Sequence, residues 1–109
     1  MSLLDRRQVF LALAALGAAA GSPTIALPQI DPEGARRIGR AYLKQHPGRL
    51  DAAGLGNELL PEGWTTGAAA RLRSRVARDF RADRLFVYRG WRLSDTEGRL
   101  FALAALTPA

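Results

Sequence analysis

From residue 31 onward the apolar positions follow two different periods, and the change between them divides the chain into elements. Asp31-Pro32-Glu33 carries the signals of a helix start: an N-cap, a proline at the first helical position and an acid at the positive end of the dipole. The helix predicted there runs to about Gln45 and stops before Pro47. At 100° per residue Ala35, Ile38, Ala41 and Tyr42 share one arc, and Glu33, Arg36, Arg37, Arg40 and Lys44 share the opposite one.

Over residues 48–66 the pattern is interrupted by Gly48, Gly54, Gly56, Gly63 and Pro61. Leu50, Leu55, Leu59 and Leu60 then predict one short helix under a loop. Trp64 reads as a cover for that part of the core, with a solvent-facing partner contact as its alternative. A second long helix follows Thr65 or Thr66 as N-cap and extends to about Ala82. Ala69, Leu72, Val76 and Phe80 form its apolar stripe, and Arg71, Arg75 and Arg78 lie on the far side.

At Leu85 the period shortens. Leu85-Phe86-Val87-Tyr88 and Trp91-Arg92-Leu93 are β-prone and flank Arg89-Gly90, which predicts a short hairpin or extended segment near residues 85–93. Ser94-Asp95-Thr96-Glu97 is a capping box, and it starts a last helix through Leu100, Phe101, Leu103 and Leu106 with no polar face beyond Arg99. A helix apolar all round is buried on several sides. It is either the central helix of a small bundle or a helix that docks in part on another chain. The fold class expected is therefore mainly α: a small helical domain with a short β element.

The N-terminal stretch has a different character. Asp5-Arg6-Arg7-Gln8 precedes an uncharged run from Val9 to Ala20, a positive n-region followed by a short h-region. Twelve residues fall short of the ~20 that a membrane-spanning helix needs. Two cleavage sites fit, after Ala18-Ala19-Ala20 and after Thr24-Ile25-Ala26, and the second is preferred because Gly21, Ser22 and Pro23 end the h-region. Residues 1–26 are thus expected to be a signal peptide, and residues 27–109 the helical domain.

Composition narrows the chemistry. The 109 residues contain no cysteine and a single histidine, His46, which excludes disulfide frameworks, thiol nucleophiles, cysteine-ligated metals and lipid attachment through cysteine. No cofactor and no metal are expected. The 16 basic residues outnumber the 10 acidic ones, and all but Lys44 are arginine. A row of arginines can meet phosphates, but no aromatic residue interleaves with them to stack bases, so nucleic acid is not the expected partner. Ser94 and Thr96 have capping roles, and no Ser, His and Asp arrangement stands out. The carboxylates Asp79, Asp83, Asp95 and Glu97 lie among arginines that would pair with them. An Asp79 and Glu97 acid–base pair would require the fold to bring the two together.

Arg6 and Arg7 ahead of the Ala-rich run resemble the twin-arginine signal, which carries folded proteins across the bacterial inner membrane. Asp5, Val9 and the lack of a basic residue before the cut depart from the usual pattern, which leaves an ordinary secretory signal as the alternative. The run Gly90-Trp91-Arg92-Leu93-Ser94-Asp95-Thr96-Glu97-Gly98-Arg99-Leu100 is similar to a signature of small bacterial proteins exported by that route. A signal of this type on a small helical chain without cofactor ligands resembles, in layout, the small accessory subunits of periplasmic flavin-dependent dehydrogenases.

That resemblance implies a periplasmic, non-catalytic accessory subunit, export escort or assembly factor for a larger cofactor-containing enzyme. Contact with the inner membrane would be transient unless the signal is retained. The expected partner contacts are Trp64, Tyr88, Trp91, Phe101, Leu103 and Leu106, the large apolar groups of a small domain. The alternative is a free-standing periplasmic domain whose arginine faces bind anionic lipid head groups or polyanions.

Overall fold

A computed structural model describes residues 32–48, 50–63 and 65–107. Arg6, Arg7, Asp31 and Trp64 lie outside the described residues, and so does the whole of the expected signal peptide. The elements are α1 (Pro32–Gln45), α2 (Ala52–Leu59), α3 (Thr66–Arg81), β1 (Leu85–Tyr88), β2 (Trp91–Ser94) and α4 (Asp95–Leu106). The domain is mainly helical with one antiparallel hairpin, as the change of period predicts.

Local signals set the boundaries. Asp51 caps α2 by accepting from the Gly54 amide at 2.6 Å, and Thr65 caps α3 by accepting from the Ala68 amide at 2.9 Å. Ser94 caps α4 with both halves of the capping box closed: the Glu97 amide donates to Ser94 Oγ at 3.0 Å, and the Ser94 amide donates to Glu97 Oε1 at 2.9 Å.

The hairpin pairs Leu85 with Ser94, Phe86 with Leu93, Val87 with Arg92 and Tyr88 with Trp91. Its two-residue turn has positive φ at both positions, 50° at Arg89 and 83° at Gly90. This is the sign pattern whose twist suits two-residue hairpins. Gly90 adopts it freely, but Arg89 is held in a region that disfavours side chains with a Cβ.

α4 is the hub of the domain. It packs against α1, α2, α3 and both strands, and Leu100, Phe101, Ala102, Leu103 and Ala104 are all buried. The central-helix alternative is therefore the one the fold adopts. Around α4 the core takes Ala35 and Tyr42 from α1, Leu55 and Leu59 from α2, Leu72 and Val76 from α3, and Phe86 and Leu93 from the hairpin.

The α1–α4 contact depends on one glycine from each helix. A Cβ on Gly39 would overlap the backbone carbonyl of Phe101, and a Cβ on Gly98 would overlap the Tyr42 ring. The two glycines serve different ends: Gly39 lets the backbones of α1 and α4 approach closely, and Gly98 leaves room on α4 for the Tyr42 ring of α1.

Two expectations about buried faces are corrected. Phe80 was placed on the buried stripe of α3, but it is 43% exposed, and its neighbour Asp79 is 6% exposed. The stripe turns through Ala68, Leu72 and Val76 to Asp79 because the first turn of α4 lies there and its amides need an acceptor. Phe101 and Leu103, expected as partner contacts, are enclosed in this domain, where α1, α2 and α3 cover α4.

Candidate functional site

Polar side chains converge where the C-terminal end of α2, the second half of α3 and the first turn of α4 meet. Glu58 comes from α2, Arg75, Arg78 and Asp79 from α3, Arg84 from the turn before β1, and Asp95 and Arg99 from α4. Together they line an open cleft of ≈ 380 Å³.

Arg99 ties two of these elements together. Its Nε donates to Asp95 Oδ2 and its Nη1 to Glu58 Oε1, both at 2.9 Å. Arg75 Nη2 donates to the other Glu58 oxygen at 2.8 Å. Behind this chain the Tyr42 hydroxyl donates to Asp95 Oδ1 at 2.6 Å, and the His46 ring stacks on Tyr42 with centroids 4.0 Å apart.

Asp79 anchors the other wall. Its Oδ2 accepts from both the amide and the hydroxyl of Thr96, at 2.7 and 2.6 Å, and its Oδ1 accepts from Arg84 Nε at 3.2 Å. It is a carboxylate supplied by α3 to the positive end of α4.

The environment sets the protonation of these groups. Burial works against the charged form of Asp95, but the hydrogen bonds from Tyr42 and Arg99 and the charges of Arg99 and His46 outweigh it. The carboxyl is held below its ordinary pKa. Burial, then the Asp95 carboxylate, pushes the Tyr42 hydroxyl well above the ordinary phenol value. Burial also raises the Glu97 carboxyl. Hydrogen bonds from Ser94 oppose that rise, and Asp79 adds to it.

Glu97 is 1% exposed, and its Oε2 has no hydrogen-bond partner. The fold thus brings Asp79 and Glu97 near each other, but each is held by a cap: Asp79 at Thr96, Glu97 at Ser94. The expected pairing of carboxylates with arginines is seen for Asp79 with Arg84, Asp95 with Arg99, and Asp83 with Arg92 at 3.8 Å. It fails for Glu97, whose side chain bonds within its own capping box instead.

The hydroxyls of Tyr42, Ser94, Thr96 and Thr107 all take part in structural hydrogen bonds. Among the described residues no group of three or more His, Cys, Asp or Glu side chains could hold a metal ion. No described helix is long and apolar enough to cross a membrane.

The expected arginine face of α3 is only partly free. Arg71 donates to the Leu59 carbonyl at 3.1 Å and closes the end of α2, while Arg75 is spent on Glu58. Arg78 has no side-chain partner among the described residues.

The expected contact residues separate into groups. Trp91 is 44% exposed at the hairpin end, with Val87 49% exposed on the other face of the same hairpin. Tyr88 is half-buried opposite Trp91, with the Arg89 guanidinium 5.5 Å from its ring centroid. Leu106 is half-buried against the core, and Phe101 and Leu103 lie inside it. The cleft as a unit was not visible in the sequence: its Asp95–Arg99 and Asp79–Arg84 pairs are local, but the Glu58 pairs that join its walls link residues 17 and 41 positions apart, and no periodicity marks such pairs.

Against protein-family models, curated proteins and solved structures, the chain has no match.

Proposed function

We propose that the chain is a non-catalytic, exported accessory subunit or assembly factor that docks on a larger, cofactor-containing periplasmic protein, in the manner of the small subunits of flavin-dependent dehydrogenases. The observation that carries this reading is the hairpin. Val87 and Trp91, two of the three large hydrophobic side chains exposed among the described residues, stand on opposite faces of its four-residue strands, so a partner that buries both clasps the hairpin from two sides. Tyr88, Arg89 and Trp91 are the residue types that dominate the energetics of protein interfaces. Burying a tryptophan and a valine that the fold leaves half-wet would each contribute about 1–2 kcal/mol to docking. The reading also rests on Arg6 and Arg7, the expected export signal.

The test is co-purification of the tagged full chain from the periplasm of its host, with a high-salt wash. The expected result is a stoichiometric cofactor enzyme that stays bound through the wash and is lost from a folded Val87→Ser, Trp91→Ala double variant. A partner retained equally by that variant would overturn the assignment of the hairpin, and a chain that purifies alone would overturn the accessory-subunit reading. Replacing Arg6 and Arg7 by Lys tests the route separately: unchanged export would remove the twin-arginine claim.

A further inference from the structure

We propose that the cleft between α2, α3 and α4 binds a single carboxylate, seated on Arg78 and flanked by Arg75 and Arg84. The argument is a census of donors and acceptors. Three carboxylates line the cleft, and all six of their oxygens already accept: Glu58 from Arg75 and Arg99, Asp95 from Tyr42 and Arg99, Asp79 from Thr96 and Arg84.

The donors are not used up in the same way. A guanidinium carries five N–H donors. Arg84 spends only its Nε on the protein, Arg75 only one Nη, and Arg78 spends none of its side-chain donors on any described residue. Every carboxylate oxygen of the wall is thus already engaged by at least one donor, while Arg78, Arg75 and Arg84 keep unused N–H groups, so the unsatisfied part of the cleft is its donors and it complements a ligand that accepts.

Charge sets the valence. Four arginines face three carboxylates, which leaves one positive charge in excess, and Arg78 is the guanidinium without a counter-ion. A monoanion neutralises that excess, whereas a dianion would leave the cleft negative. A carboxylate also matches the planar fork of a guanidinium with two parallel hydrogen bonds. The neighbouring ion pairs hold the walls in place, since Arg75, Arg99 and Glu58 are each only about a quarter to a third exposed, and the ligand would not have to order them.

The experiment is an NMR titration of the full chain, following the arginine Nε–H signals as acetate is added at constant ionic strength. The expected result is saturable movement of the Arg78, Arg75 and Arg84 signals. Arg78→Gln should lose it by about tenfold or more in affinity, and Arg78→Lys, which keeps the charge but not the fork, should fall between the two.

Arg78 is exposed and its side chain makes no hydrogen bond or ion pair with a described residue, so both variants are expected to keep the fold, which circular dichroism checks. A blocked dipeptide carrying one glutamate distinguishes the sources of the carboxylate. Binding of acetate alone assigns the cleft to small free acids, and binding of both extends it to a protein side chain. Equal movement with chloride, tighter binding of phosphate than of acetate, or an unchanged response in Arg78→Gln would each overturn the proposal.

Discussion

Asp79 accepts two hydrogen bonds from Thr96, one from its amide at 2.7 Å and one from its hydroxyl at 2.6 Å, and so caps α4 from a different helix. Ser94 already serves the Glu97 amide, so two acceptors share the first turn and leave fewer of its N–H groups unpaired. Asp79→Ala would leave the Thr96 amide and hydroxyl buried without a partner and free the Arg84 guanidinium. The expected cost is about 2–4 kcal/mol, read as a lower midpoint in urea denaturation. Asp79→Asn, which keeps an acceptor oxygen, should lose less. Equal losses in the two variants would show that the hydrogen bonds to Thr96 do not carry the effect.

The two glycines of α1 and α4 make a second expectation. On an isolated helix Gly→Ala stabilises by up to about 1 kcal/mol. At Gly39 and Gly98 the sign should reverse, because the added methyl meets a backbone carbonyl in one case and a buried tyrosine ring in the other. A net loss of about 1–3 kcal/mol is expected for each single variant. Gly48→Ala, where a Cβ would meet nothing within 4 Å, is the control, and thermal denaturation of all three decides.

Glu97 and Asp95 respond to pH in opposite directions. The folded Glu97 carboxyl has a raised pKa, so its contribution to stability is fully present below the unfolded value and is lost as pH rises through the folded one. Asp95, held low, contributes above its unfolded value and loses that contribution as pH falls through the folded one. Glu97→Gln keeps an oxygen to accept from the Ser94 amide but carries no charge. It should match the wild type in acid and exceed it as pH rises, in melting temperatures measured from pH 4 upward. A deficit that does not change with pH would contradict the account.

Arg89 occupies a turn position that asparagine adopts with less strain. Arg89→Asn creates the Asn-Gly pair favoured in two-residue turns and should stabilise the hairpin by about 0.5–1 kcal/mol, less whatever the Arg89–Tyr88 contact contributes. Urea denaturation of the variant checks the sign.

How far the sequence could be read depended on the distance over which each signal acts. Caps lie within three residues of what they cap, and Thr65, Ser94 and Glu97 were legible for that reason. The hairpin was legible from period and composition, and so was a last helix without a polar face, but that pattern fits a core element and a docking element alike, and only the surrounding helices show that Phe101 and Leu103 are internal. Asp79 was not, because an aspartate on the edge of an apolar stripe looks solvated until the helix end it serves is in view, and Thr96 is 17 positions further on. Phe80 was misplaced by the same single step around the helix. Gly39 and Gly98 gave no signal at all, since a helical glycine shows its purpose only through the atom facing it. The exposed Trp91 was legible as a large apolar group beside a turn, but its 44% exposure is set by what packs on the hairpin, which the local pattern does not carry.

The hub position of α4 also sets an order of events during synthesis. Tyr42 and Asp95, joined by one short hydrogen bond, are separated by 53 residues, and Leu55, Leu72 and Phe86 likewise face a helix translated after all of them. While the ribosome is still short of residue 106, the apolar faces of α1, α2 and α3 lack the helix on which most of their packing falls and have only the hairpin and each other to meet. Consolidation of the domain therefore waits for its last helix, and a nascent chain truncated before residue 95 would expose these faces to chaperones and proteases instead of folding part by part.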